Sequence, residues 1–165
     1  MNVKVFDAPY LDDLVSQALA SPRCRQHRNI HEDYADPCQR TFNAIEPESY
    51  LRPHRHGPAQ GPETMLAVRG LMALILFADD GRITDVHRFG AGAHAAANGV
   101  AAGVETPPGR WHSVVSLEHG SILLEVKAGP FDPTSPRFPA PWAPEEGSVS
   151  ASQYLAELVT KIKLR

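Results

Sequence analysis

Pro53-His54-Arg55-His56-Gly57-Pro58-Ala59-Gln60-Gly61-Pro62-Glu63 is the stretch whose reading decides the fold. In an extended strand, side chains two apart point to the same face, so His54 and His56 offer two imidazoles to one point. The Gly/Pro-rich turn after them returns the chain and brings Glu63 alongside. Two imidazoles and a carboxylate suit a divalent transition metal. A fourth candidate follows in Pro107-Pro108-Gly109-Arg110-Trp111-His112, where a rigid turn delivers His112 to the start of a β-type run. The sequence therefore proposes one centre of three histidines and a glutamate: His54, His56, Glu63 and His112.

Strand signals surround this centre. Thr41 to Ile45, Tyr50 to His56, Glu63 to Arg69, Leu71 to Ala78, Ile83 to Phe89, Val104 to Thr106, His112 to Leu117 and Ser121 to Lys127 read as strands. The run from Leu71 is almost wholly apolar and is expected to be buried on both faces. Asp79-Asp80-Gly81-Arg82 marks a hairpin, and Gly70 a tight transition. Residues 90–103, rich in Gly and Ala, read as a loop. Many short strands with turn signals between them describe a small antiparallel barrel or sandwich.

The flanks differ. Residues 7–20 read as a helix, with Asp7 able to cap and Pro9 suited to a first turn. Residues 129–149 hold six prolines and read as an extended wrap, which Phe138 and Trp142 are expected to anchor by burial. Residues 150–164 read as a second amphipathic helix. On composition, residues 23–40 read as a solvated arm or as a cover over the barrel mouth.

The motifs resemble those of the cupins, which carry His-x-His, a short gap, Glu, six residues and Gly, and later Pro-x-Gly-x-x-His. Here His54-Arg55-His56 is followed by Glu63, six residues and Gly70, then by Pro107 to His112. The spacer between His56 and Glu63 is longer than is usual in that family, and Ser116 stands where an Asn is common. A further resemblance, to the WbuC-type cupin-fold metalloproteins, rests on Arg25 to His31, on Gln39 to Ile45 leading into His54, on Glu125 to Pro133, and on Pro141 to Pro144. The resemblance implies a mainly β fold, a double-stranded β-helix or jelly-roll barrel with flanking N- and C-terminal helices. It also implies a single domain over residues 1–165 with its barrel core at 39–128, a homodimer, and a link to surface-polysaccharide biosynthesis.

The chain of 165 residues is 42% hydrophobic and 21% charged, ordinary for one globular domain. Its net charge of -3 gives no basic excess for nucleic acid. No run of eighteen apolar residues indicates a membrane span, and no leader is evident, so a cytoplasmic protein is expected. Cys24 and Cys38 have no metal-site spacing and read as free thiols.

Four protein ligands leave room on one divalent metal (Zn, Fe, Mn or Ni) for a substrate. The expected function is metal-dependent chemistry, an isomerase, epimerase or oxygenase reaction, on a small carbohydrate-like molecule. The alternatives are a non-catalytic sugar-binding or sensory module, and a metal-free epimerase or isomerase using a histidine base. Arg52 shares the strand parity of His54 and is expected to face the cavity. His27, Arg28, His31 and Arg40 are expected to line the mouth and hold an anionic group of the sugar.

Overall fold

The computed structural model describes residues 3–57, 60–132, 134 and 137–164, and the backbone alone of Ala96. Pro58 and Ala59 of the expected turn, and Pro133 and Pro136 of the expected wrap, lie outside the described residues.

Helix α1 (Ala8–Ala20) starts where Asp7 caps it, the carboxylate accepting the Tyr10 N–H at 3.1 Å, and Pro9 occupies the first turn, where its missing N–H costs nothing. The strands are β1 (Arg25–Asn29), β2 (Cys38–Ile45), β3 (His54–His56), β4 (Glu63–Arg69), β5 (Leu71–Phe77), β6 (Ile83–Gly90), β7 (Val100–Ala101), β8 (Gly103–Thr106), β9 (Trp111–Ser116), β10 (Ser121–Ala128) and β11 (Arg137–Pro139). Helix α2 (Val149–Lys163) closes the chain. One sheet runs β1-β2-β10-β4-β8 and the other β11-β3-β9-β5-β6-β7. They form a jelly-roll barrel of the cupin type with a helix on each flank, as the sequence leads one to expect.

Gly70 carries the chain from β4 in one sheet to β5 in the other. Its φ of +74° is open to glycine, and a Cβ there would collide with the Ser121 side chain and lie 2.9 Å from its Cα. At the next hairpin, Gly81 (φ +86°) lies against the face of Trp142, with no room for a Cβ.

Strand periodicity sorts the core into three parts. Ile45, Met65, Met72, Leu74, Phe89, Val114 and Leu123 fill the barrel interior. Ala73, Ile75 and Phe77, the alternate residues of β5, meet Ala151, Leu155, Leu158 and Ile162 of α2. The double-sided burial expected of β5 thus has a cause: one face looks into the barrel, the other under a helix. Each large apolar side chain so buried contributes about 1.5–3 kcal/mol. Phe42, Ala44 and Ile122 similarly face Leu11, Leu14 and Ala18 of α1.

Three local expectations are corrected. Residues 25–29 are an edge strand, not a solvated arm, because β2 offers a free ladder edge and pairs with them from Arg25↔Ile45 to Asn29↔Thr41. The loop expected at 90–103 holds a 3-10 turn (Gly92–Ala96) and the short β7. Phe138 is 42% exposed and anchors nothing, whereas Trp142 packs on Phe77 with ring centroids 5.1 Å apart. The wrap instead contributes β11, at the sheet edge, where prolines are tolerated.

Candidate metal centre

His54 and His56 alternate along β3, and His112 lies directly across from His54 on β9. The backbone N–H of Gly109 donates to the His56 carbonyl at 3.2 Å, tying the second motif turn to the first motif strand. Potential ligand atoms of His54, His56 and His112 all lie within 4.8 Å of one another. His54 and His112 are anchored alike: Nδ1 meets the carbonyl of Arg52 at 3.1 Å in one ring and that of Arg110 at 2.8 Å in the other. An Nδ1–H donating to a carbonyl leaves Nε2 as the free lone pair, the tautomer a metal requires.

Glu63, at the start of β4 in the facing sheet, lies against two of the three histidines. One carboxylate oxygen lies 3.2 Å from His56 Nε2 and the other 3.4 Å from His112 Nε2. The long spacer has therefore not displaced it. Burial opposes its ionisation, but the contacts with His112 and His56 and the nearby Lys127 outweigh burial and hold it well below the usual carboxylate range. Burial, with Arg137 and the neighbouring imidazoles, keeps His54 well below the ordinary histidine value, hence neutral near pH 7. A carboxylate and three imidazoles form a donor set that fits a divalent transition metal.

The centre opens into a cavity of ≈ 320 Å³. Ile45, Leu51, Met65, Val114 and Leu123 give it an apolar wall, while Asn43, Glu125 and Lys127 give a polar one. Lys127 lies 3.2 Å from Glu63 and 2.8 Å from Glu125, whose other oxygen accepts from Asn43 at 3.2 Å.

Of the five residues expected at the mouth or facing the cavity, His27 lines the cavity. The other four do not. Arg28 stands opposite Phe42 on the outer face of β1, where it pairs with Asp13 at 2.5 Å and stacks on Tyr10. His31 Nδ1 accepts the Arg40 N–H at 3.0 Å, and the Arg40 guanidinium reaches Asp36 at 2.8 Å. Arg52 donates to the Ala140 carbonyl at 3.0 Å. It precedes β3, and the chain is irregular there, so the parity of His54 does not extend back to it.

The cations that do line the cavity are Arg23, Arg25, Lys127 and Arg137. For two of these a signal existed: Leu123, Glu125 and Lys127 alternate along β10, and Arg25 shares parity with His27. Arg137 has none, since it emerges from a proline-rich segment without period.

Residues 6–89, just over half of the chain, match the family described as Domain of unknown function (DUF6016). The chain belongs to the DUF6016 family. The match includes His54, His56 and Glu63 but ends before His112. No curated protein matches this DUF6016 chain. Among solved structures, protein SO0799 from Shewanella oneidensis is 12% identical with TM-score 0.51, covering 64% of this chain and 68% of that one. The conserved SPY1581 protein of unknown function from Streptococcus pyogenes is 12% identical with TM-score 0.50, covering 80% and 92% respectively. KdgF from Halomonas sp. is 15% identical with TM-score 0.49, covering 68% and 84%. At these identities the likeness speaks to fold alone. No helix among the described residues is long and apolar enough to cross a membrane.

Proposed function

We propose that this DUF6016 protein is a metal-dependent enzyme acting on a small, polar, carbohydrate-like substrate, with His54, His56, Glu63 and His112 holding one divalent ion (zinc, iron, manganese or nickel). The observation that carries this reading is the meeting of three histidines and a glutamate from two facing sheets at one end of a ≈ 320 Å³ cavity, large enough for a monosaccharide-sized ligand. A bound divalent ion would supply Lewis-acid polarisation of a carbonyl or hydroxyl, or dioxygen chemistry if it is iron. The protein's own part is positional. Carbonyl anchors fix the two imidazoles, His112, His56 and Lys127 together keep Glu63 charged, and the apolar wall keeps water from one face of the substrate. A WbuC-type role in surface-polysaccharide metabolism, a cytoplasmic location and a homodimeric state belong to the same proposal. A dimer would give twice the chain mass by light scattering.

Elemental analysis of protein from metal-supplemented culture tests the centre: near-stoichiometric metal in the parent, lost from His112→Ala and kept in His94→Ala. Equal metal in both variants would sink the assignment. One observation favours a second reading, a metal-free histidine base: Glu63 contacts both His56 and His112, as a carboxylate does when it orients an imidazole. Sugar turnover that survives chelation and complete metal removal would select it. Ligand-induced thermal shifts without turnover would instead select a binding module.

A further inference from the structure

The charges around the cavity are matched, save one. Arg23 and Arg25 share the Glu146 carboxylate, each at 2.6 Å. Lys127 lies between Glu63 and Glu125. Among the described residues, Arg137 is the cavity-lining cation with no carboxylate within 4.0 Å. It lies on the three-residue edge strand β11 and is exposed as a residue, yet its guanidinium reaches inward to 2.9 Å from His54 Nδ1. That contact is not a stable resting place. The same Nδ1 faces the Arg52 carbonyl at 3.1 Å, and a nitrogen that donates its proton there has no lone pair to accept from Arg137. In the tautomer that frees Nε2, the inward donors of Arg137 point at the cavity without an acceptor. Register holds them there, since β11 pairs with β3 from Arg137↔His56 to Pro139↔His54.

We infer that Arg137 binds a carboxylate of the substrate beside the histidine centre, so that the ligand class is a monosaccharide-sized hydroxycarboxylic acid. The inference deepens the proposed function and rests on its placement of the substrate in this cavity. A guanidinium presents paired N–H donors in the plane a carboxylate fills. One unmatched positive charge favours a monoanion. The neighbouring carboxylates of Glu63 and Glu125 would repel a more highly charged group.

The test is calorimetric titration of the full chain with D-gluconate and with D-glucitol, which share a carbon skeleton and differ in the carboxylate. Metal content is measured on every sample. The parent is expected to bind gluconate at least about 10-fold more tightly than glucitol, the size of one charge-assisted hydrogen bond. Arg137→Gln should lose about that factor for gluconate and nothing for glucitol, and Arg137→Lys should fall between. Undiminished gluconate binding by Arg137→Gln at equal metal content overturns the inference, as does a metal-loaded parent that binds gluconate no better than glucitol or binds neither. Should the Gln variant lose its far-ultraviolet dichroism, undiminished binding by the Lys variant overturns it in the same way. A parent without metal that still selects gluconate through Arg137 would remove the metal reading and leave the carboxylate site standing.

Discussion

His54 and His112 are direct partners across the β3–β9 pair, and their rings lie 4.5 Å apart, centroid to centroid. They belong to motifs more than fifty residues apart, yet one ladder register sets their separation. Glu63 is fixed differently, from the opposite sheet, and can be altered without disturbing that register. Glu63→Gln keeps the shape and removes the charge. It is expected to weaken metal affinity by at least the roughly 10–100-fold that loss of an outer-shell partner costs, while the thermal transition changes little. Competition against a chelator of known affinity reads the first quantity and calorimetry the second. A Gln variant with parental affinity would take Glu63 out of the ligand set.

Gly70→Ala should destabilise the protein severely. Backbone strain at positive φ costs about 1–3 kcal/mol, and collision of the new methyl with Ser121 adds to it. The double variant Gly70→Ala/Ser121→Gly should recover only the clash with the Ser121 side chain and keep both the backbone strain and the 2.9 Å approach to the residue 121 Cα, as urea denaturation midpoints would show. Equal stability of the two would mean that β4 and β5 adjust freely at their junction.

The Glu146 carboxylate gives a pH prediction. Burial opposes its charge, but Arg23 and Arg25 outweigh burial and hold it below the ordinary range. A depressed carboxylate stabilises the fold above its unfolded value of about 4.3, and that contribution disappears as pH falls through the lower, folded value. Glu146 is partly exposed, so the pair contributes about 1 kcal/mol or less. The parent should therefore exceed Glu146→Gln in stability at pH 7 and converge with it once the pH has fallen through the lowered, folded value. A constant gap between their urea midpoints across this range would show that the ion pair contributes nothing.

The barrel was legible because its signals are local and repeated. His-x-His parity, the Asp79-Asp80-Gly81 hairpin, the doubly buried β5 and the Asp7 cap each depend on a few consecutive residues, and each has its counterpart in the structure. The four metal-type residues were legible through spacing, although nothing in the spacer announced how Glu63 would return. The cationic lining was not. Arg23, Arg25, Arg28 and Arg40 stand close together in the sequence, but facing decides which of them reach the cavity, and for Arg25 and Arg28 pairing with β2 sets facing. Arg28 turned outward for that reason, and Arg25, one parity step from His27, turned inward. Arg137 could not be placed at all, because its position depends on pairing with a strand about eighty residues earlier, Arg137↔His56.

That last contact bears on how the site comes into being. Strand β3 has a single register pair with β9, and β11 supplies three more on its other side. As the chain emerges, His54 and His56 are made early but remain a bare, barely paired edge until the residues after 136 arrive. The centre is thus among the last features to be completed during synthesis, and a chain interrupted before β11 would carry every candidate metal ligand while lacking the strand that steadies two of them.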